Sequence, residues 1–411
     1  YDQDIFGGKK PNINLSSHVR FSRSSLTKLD EPQLIYALID VVSTAEPDLE
    51  SIPPAHLCLV IDRSTSMQGS RMEMVRANIA HLLGHMRKQD LISVVLFSDR
   101  AEVMIPPTEM SDLGRLETQI RQIQTGGATE IYQGLEAGVS LLRSGSGINT
   151  TKMLVLLTDG HTYGDEEPCL ELAQEVAAEN VSINTMGIGH DWNDAFLDRM
   201  SSLSGGSSIF VTGTKDLYNY LDQKIRSMGY IYGRGVRLEY ELDPGVELNY
   251  AFKLKPEISS LVNGSPIQLG DLYHNQSLSV LLELLVKPIT TDIESMDLLK
   301  GRLLMEIPTI RPPLGRVHIK LRRPVRAEMT RELPPSAIVD SLAKLTLYRM
   351  QERARKEVEA GDISKATRHL QYLATHLLAQ GNRELAHSVL IEAENIQQSR
   401  NYSKDGDKRI K

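Results

Sequence analysis

Between residues 57 and 228 the hydrophobic pattern changes period repeatedly, and that alternation constrains the fold more than any other feature of the chain. Strands are expected at residues 57–61, 91–97, 153–157, 181–188 and 209–211, and of these 57–61 and 153–157 are short continuous apolar runs. Runs of this length mark strands buried on both faces. Between them, residues 71–86, 111–123, 131–142, 170–179, 194–203 and 217–228 carry apolar side chains at helical spacing. In the first of these they are Met74, Ile79, Leu82, Leu83 and Met86. Strands alternating with helices predict a mostly parallel sheet with helices on both faces. Residues 101–105 form a short run ahead of Pro106-Pro107, which suits an edge strand.

The flanks read differently. Residues 12–21 alternate, with Ile13, Leu15, Val19 and Phe21 on one face, and residues 33–42 are apolar and partly β-branched. Pro47, Pro53 and Pro54 then punctuate a linker. After Gly229, runs at 235–242, 246–252, 267–269, 277–286, 301–307 and 316–321 are separated by Pro and Gly, the pattern of an antiparallel sandwich. The N-terminal strands have no other sheet to join, so they are expected to complete this one. From Pro335 helical spacing returns, at 338–360, 364–379 and 384–396. Gly361-Asp362 reads as a C-cap followed by an N-cap, and Gly381-Asn382 repeats it. The expected fold class is a doubly wound, mostly parallel α/β domain inserted in an antiparallel β-sandwich, with a C-terminal α-helical segment. The expected divisions are N-terminal strands over 1–54, the α/β domain over 55–229, the sandwich over 230–332, three helices over 333–398 and a disordered tail over 399–411.

At 411 residues, with 41% hydrophobic and 24% charged, the chain has material for two or three domains with real cores. Lys plus Arg number 46 against 53 Asp plus Glu, a balance of −7 that argues against a dedicated nucleic-acid binder. Lys320, Arg322, Arg323, Arg326 and Arg331 are a local basic exception. Two cysteines, Cys58 and Cys169, are no disulfide framework and read as small buried side chains. No apolar stretch approaches the ~20 residues of a membrane span, and residues 278–286 are interrupted by Glu283. A cytoplasmic location is the expectation, although the chain opens on Tyr1 rather than Met. The six Asn-x-Ser/Thr sequons read as polar surface. His81 and His85 stand four apart on a helix, but Leu82-Leu83-Gly84 between them lacks the glutamate of a His-Glu-x-x-His protease. No phosphate-binding loop or nucleophile elbow is present, so no enzymatic activity is expected.

Two loops at the carboxyl edge of the expected parallel sheet stand out, and that edge is where open sheets bind ligands. The first strand runs straight into Asp62-Arg63-Ser64-Thr65-Ser66, and the third apolar strand into Thr158-Asp159-Gly160. Gly126-Gly127-Ala128-Thr129 leads into the helix near Ile131, its glycines expected to admit close backbone approach. Asp62, Ser64, Ser66, Thr129 and Asp159 offer two carboxylates and three hydroxyls, all hard oxygen donors. That set suits Mg²⁺, which takes octahedral oxygen coordination with one or two carboxylates.

In this order and spacing, Asp62-x-Ser64-x-Ser66, Thr129 and Asp159 resemble the metal-ion-dependent adhesion site of von Willebrand factor A domains. Met67-x-Gly69 and Gly134-Leu135 resemble that family too, and the likeness covers about residues 56–228. The wider layout is similar to bacterial relatives of the inter-alpha-trypsin-inhibitor heavy chains and of calcium-activated chloride channel regulators. The resemblance implies that Ser64 and Ser66 bind the metal directly, and that Thr129, Asp62 and Asp159 bind directly or through water. Mg²⁺ is the implied ion, with Mn²⁺ or Ca²⁺ as alternatives. The implied partner is a protein that donates an Asp or Glu carboxylate to an open coordination position. Arg63 and Thr65 depart from the family pattern at variable positions. His161 and Asp165-Glu166-Glu167 read either as a rim meeting the partner or as a solvated helix N-terminus, and Trp192 as rim or core. The alternative function is an adaptor subunit of a MoxR-type or chelatase-type ATPase. Oligomeric state is left open.

Overall fold

The computed structural model describes residues 14–399 apart from 46–52, 146, 148–149, 160–163, 189–193, 212, 229, 311, 329–331, 360 and 380–382. The expected tail, Gly381-Asn382, His161 and Trp192 therefore lie outside the described residues, with 399 as the last residue described. The chain opens with β1 (Leu15–Phe21), β2 (Leu26–Thr27) and β3 (Gln33–Ser43). The α/β unit follows as β4 (Ala55–Asp62), α1 (Ser70–Leu83), β5 (Leu91–Phe97), β6 (Ala101–Glu109), α2 (Leu113–Arg121), α3 (Ile131–Gly145), β7 (Thr151–Thr158), α4 (Glu166–Ala177), β8 (Val181–Ile188), α5 (Asp194–Ser204), β9 (Ser208–Val211) and α6 (Thr214–Met228). Its six-stranded sheet has the order β6-β5-β4-β7-β8-β9, parallel except for the antiparallel edge strand β6.

Period-2 burial explains why the apolar runs are continuous. Leu57, Leu59 and Ile61 of β4 pack with α1, α2 and α6 on one face of the sheet. Cys58 and Val60 pack with α3, α4 and α5 on the other. Both cysteines are fully buried free thiols in that second layer. The edge strand β6 runs on through Pro106 and Pro107 to Glu109, further than its apolar run. Register shifts in its pairing with β5 accommodate the prolines.

Next come β10 (Ile231–Leu242), β11 (Val246–Lys255), β12 (Ser259–Leu261), β13 (Ile267–Tyr273), β14 (Ser277–Val286), β15 (Ser295–Glu306) and β16 (Leu314–Arg326). They form two five-stranded sheets, β1-β3-β14-β11-β12 and β13-β10-β15-β16-β2. The N-terminal strands do complete this sandwich: β3 pairs with β14 over ten residue pairs and β1 with β3. Among the described residues two contacts depart from the antiparallel pattern, the short parallel pairing of β2 with β16 and an isolated parallel bridge between Ser43 and His274. Ile35, Ala37 and Ile39 face Val236, Leu238, Leu303 and Ile319 across the interior. The opposite face of β3, β11 and β14 is apolar as well, through Leu38, Phe252, Leu254 and Leu281.

That second apolar face is covered by α7 (Ser336–Glu359), through Ile338, Leu345 and Tyr348. Glu283, the charge that interrupts the apolar run of β14, accepts a hydrogen bond from Arg349 Nη1 of α7 at 2.8 Å. Arg349 also lies over the Tyr250 ring. α8 (Ile363–Ala379) and α9 (Arg383–Ser399) share a small core with α7. The stop between α7 and α8 follows the expected chemistry. Gly361 has φ +79°, and Asp362 Oδ1 accepts from the Lys365 amide at 3.3 Å.

Where the α/β unit enters and leaves the sandwich, both chain crossings are tied to one residue. The His274 amide donates to the Tyr230 carbonyl at 2.7 Å, and its ring Nδ1 bonds the Ala45 carbonyl at 2.9 Å. Beside this junction Lys224 of α6 pairs with Glu257 at 2.7 Å. Lys253, Asp271 and Tyr273 line the same small cavity. Burial lowers Lys253 to about 8 from the usual lysine value. At this residue the unfolded chain therefore binds more protons than the folded one from about pH 8 upward, so the contribution of Lys253 to stability rises with pH there. Burial of the Cys58 and Cys169 thiols, and above about pH 10 of the Tyr273 hydroxyl, works the other way, because each stays protonated when its unfolded counterpart ionises. Denaturant titrations at pH 8 and pH 10 are expected to show the parent gaining stability relative to Lys253→Met by at most about 1.4 kcal/mol per unit. Parallel pH dependences in the two proteins would remove Lys253 as the source of that difference.

Candidate metal centre

Asp62 is the last residue of β4, and Asp159 immediately follows β7, its parallel neighbour. The chain leaves β4 through α1 toward β5 on one side and returns through α3 to β7 on the other. The two carboxylates thus stand at the point where the strand order reverses, beyond the carboxyl ends of the strands. Both residues are closed to solvent, at 0% and 1% exposure.

The Asp62 loop folds back on its own carboxylate. Asp62 Oδ1 accepts from the Ser64 amide at 2.8 Å, and Oδ2 from the Thr158 hydroxyl at 2.7 Å. Burial raises the Asp62 carboxyl above its ordinary value, against these hydrogen bonds, and the nearby Asp159 charge adds to the rise. The Ser64 and Ser66 hydroxyls are 3.0 Å apart, and Ser66 Oγ donates to Asp159 Oδ1 at 2.7 Å. Adjacent ligands of an octahedral Mg²⁺ with bonds of ~2.0–2.1 Å lie about 2.9 Å from one another. The chain Ser64 Oγ, Ser66 Oγ, Asp159 Oδ1 therefore fits neighbouring vertices around such an ion. Ser66 is exposed while Ser64 is buried, so the donor set opens at one side.

Thr129 comes from a separate loop and is 7% exposed. That loop is clamped from two directions. The Gly126 amide donates to Arg63 O at 2.6 Å, and Gly127 O accepts from the Thr65 amide at 3.1 Å. On the other side Ala128 N donates to Asp99 Oδ1 at 2.7 Å, and Glu130 N to Ser98 O at 3.0 Å. Of the two glycines, only Gly127 is required by its surroundings. It has φ +95°, and a Cβ there would sit 2.9 Å from Ser98 and Asp99 side-chain atoms. At Gly126 no atom lies within 4 Å of an added Cβ. The following helix is brought down onto the sheet by Gly134, where a Cβ would meet Phe97 at 2.8 Å.

Arg63 and Thr65 point away from the carboxylates. Arg63 pairs with Glu102 at 3.3 Å, and the Thr65 hydroxyl bonds Gly127 O. Asp165 spans to another helix: its Oδ2 accepts from the Tyr132 amide in the first turn of α3, at 2.7 Å. Glu166 and Glu167 occupy the first turn of α4. The structure adds a group that sequence spacing does not pick out. Arg71, in the first turn of α1, directs Nη1 to Asp159 Oδ2 and to the Ser66 carbonyl. His81 and His85 belong to a surface cluster, with His85 Nδ1 2.7 Å from Asp222 and both rings beside Tyr218.

A Rossmann-like sheet with a Ser/Thr/Asp cluster at its switch point defines the class, and comparison with known proteins agrees. Residues 56–223 match the von Willebrand factor type A domain, and residues 336–411 match the Sll0103-like, C-terminal alpha-helical domain. The chain carries a von Willebrand factor A domain, and neither description is that of an enzyme family. It is similar to the Synechocystis protein sll0103, with 26% identity over 337 residues, 78% of either chain. It is also similar to inter-alpha-trypsin inhibitor heavy chain H1 of Mesocricetus auratus, with 28% identity over 163 residues. Those residues are 37% of this chain but only 18% of that much longer protein. A von Willebrand factor type A structure from Catenulispora acidiphila superposes with a TM-score of 0.75 at 14% identity, covering 93% of this chain and 91% of the other. That agreement is one of fold.

The clamp on the Thr129 loop generates a paired prediction. Gly127→Ala is expected to destabilise the chain by about 1–3 kcal/mol, through the left-handed backbone and the contacts with Ser98 and Asp99. Gly126→Ala should stay within about 0.5 kcal/mol of the parent. Guanidinium unfolding curves of the two variants would check this, and equal midpoints would show that the clamp tolerates a side chain.

Proposed function

We propose that this chain is a divalent-cation-dependent protein-binding module in which Asp62, Ser64, Ser66, Thr129 and Asp159 hold Mg²⁺, with Mn²⁺ or Ca²⁺ as alternatives. The observation that carries this reading is the run of oxygen separations of 3.0 and 2.7 Å through Ser64, Ser66 and Asp159, next to a second buried carboxylate. Ser64, Ser66 and Thr129 supply neutral donors, while Asp62 and Asp159 supply charge and orient the hydroxyls. Bound there, a cation offers a Lewis-acidic position to a carboxylate from a partner protein's Asp or Glu. The exposed side at Ser66 is where that carboxylate approaches. Protein recognition through such a site is the family's mode, and the donor set here retains every residue type that mode requires. Non-enzymatic binding, rather than turnover, is the activity we assign. Among the described residues no helix is long and apolar enough to cross a membrane.

The test is capture of partners from native lysate on the tagged full-length chain, in Mg²⁺ and in EDTA, beside Asp62→Ala. A partner retained in Mg²⁺ and depleted at least about tenfold in both controls supports the reading, a loss of about 1.4 kcal/mol or more. The same proteins at the same level in all three arms would transfer the binding surface to the sandwich or the helices.

A further inference from the structure

Two buried carboxylates at adjacent strand ends pose a charge problem that neutral donors do not solve. Asp62 is hydrogen-bonded by the Ser64 amide and the Thr158 hydroxyl. Asp159, whose side chain is 0% exposed, has Ser66 Oγ and the guanidinium of Arg71. Burying like charges together requires a cation close by. Arg63 is nearer in sequence but is turned to Glu102. Arg71 reaches across the Ser66 loop instead, touching Asp159 Oδ2 and, at 3.2 Å, the Ser66 carbonyl. Its guanidinium therefore engages one of the residues assigned to the metal directly and the backbone of another.

We propose that Arg71 is a tethered cation that competes with the divalent ion for Asp159, so that the site carries its own counter-charge when no metal is held. This inference rests on the metal reading above. A guanidinium stays charged at every working pH and is hydrogen-bonded in a fixed fork, so it is a standing competitor. Its side chain is 29% exposed, which leaves an outward rotamer open when Asp159 is taken by the ion. Two effects follow. The metal-free chain is stabilised by Arg71, and the apparent metal affinity is reduced by the fraction of chains in which Arg71 holds Asp159.

The experiment uses the full-length chain with Mn²⁺ as probe. Free Mn²⁺ is counted by electron paramagnetic resonance, and the melting temperature is read in chelator and in saturating Mn²⁺. In the parent, binding should be lost on Asp62→Ala. Arg71→Gln should bind Mn²⁺ about tenfold more tightly or better. It should also melt lower than the parent in chelator, with most of the difference removed by Mn²⁺. Arg71→Lys, which keeps the charge without the fork, should fall between the two, and it carries the test if Arg71→Gln does not fold without metal. Equal or weaker Mn²⁺ affinity in the Arg71 variants, with Asp62-dependent binding in the parent, overturns the competitor and leaves the metal site standing. Absence of any Asp62-dependent Mn²⁺ binding in parent and variants alike overturns both.

Discussion

Everything distinctive about this molecule depends on the side-by-side placement of Asp62 and Asp159, two carboxylates shut off from water at the ends of neighbouring parallel strands. An ionised carboxylate cannot be buried without hydrogen bonds and counter-charge. The surrounding loops are organised to supply them. The Asp62 loop curls so that its own Ser64 amide bonds the carboxylate, and Thr158 reaches across from β7. Ser66 and Arg71 meet Asp159 from the other side. The third loop is pinned between the first and the β5 exit, which fixes Thr129 without any charge of its own. Helix α3 then starts under the Asp165 carboxylate, which accepts from the Tyr132 amide. The result is a cluster of hard oxygens built by backbone constraint before any ligand arrives.

The rest of the chain holds that cluster outward. The sandwich meets the α/β unit beside the amino end of β8, where Asn180 bonds Glu306 at 2.8 Å, and the candidate site lies at the carboxyl ends of the strands. Contact at the junction is too close for side chains in places. A Cβ on Gly205 would lie 2.8 Å from Gly270 Cα. Around it the buried Lys224 and Lys253 and the half-buried Glu257 and Asp271 form a charged group rather than an apolar seam. Burial disfavours a charged Glu257, but Lys224 and Lys253 hold it below its ordinary value. A seam of this kind fits in one alignment only, because a shift of one residue would strand a charge in the interior. With His274 binding both crossings, the α/β unit is oriented by chemistry at its base.

The fold was largely legible because burial on both faces writes itself as an unbroken apolar run, seen within β4 and β7. The candidate site was legible because three short segments carry its five oxygen-donor residues in a fixed order. What escaped was every interaction between residues remote in sequence that share no pattern. Arg71 lies 88 positions from Asp159, and Thr158 lies 96 from Asp62. Nothing in either neighbourhood marks the pairing. Asp165 likewise reads as an ordinary helix-start acid until its contact with Tyr132 N is seen. The strand β6 outran its apolar run because an edge strand tolerates prolines when bulged, and periodicity reports apolar faces rather than backbone pairing.

The same reasoning explains where the helical segment sits. The two sheets of the sandwich differ on their outer faces. Along β16, Arg316, His318, Lys320, Arg322 and Arg326 are exposed at alternate positions, and Asp297 of β15 pairs with Arg322 and Lys320. A face of that composition is solvated and attracts no helix. The outer face of β3, β11 and β14 carries Leu38, Phe252, Leu254 and Leu281, which water would penalise by roughly 1.5–3 kcal/mol per side chain. It must be covered, and α7 covers it with Ile338, Leu345 and Tyr348. Glu283 sets the register of that cover. Its side chain is only 9% exposed, and it meets Arg349, which is itself stacked over Tyr250. A purely apolar contact would let the helix slide by a turn, whereas this pair is satisfied in one position. An acidic residue in an otherwise apolar strand is thus the mark of a charged partner on the element that covers it.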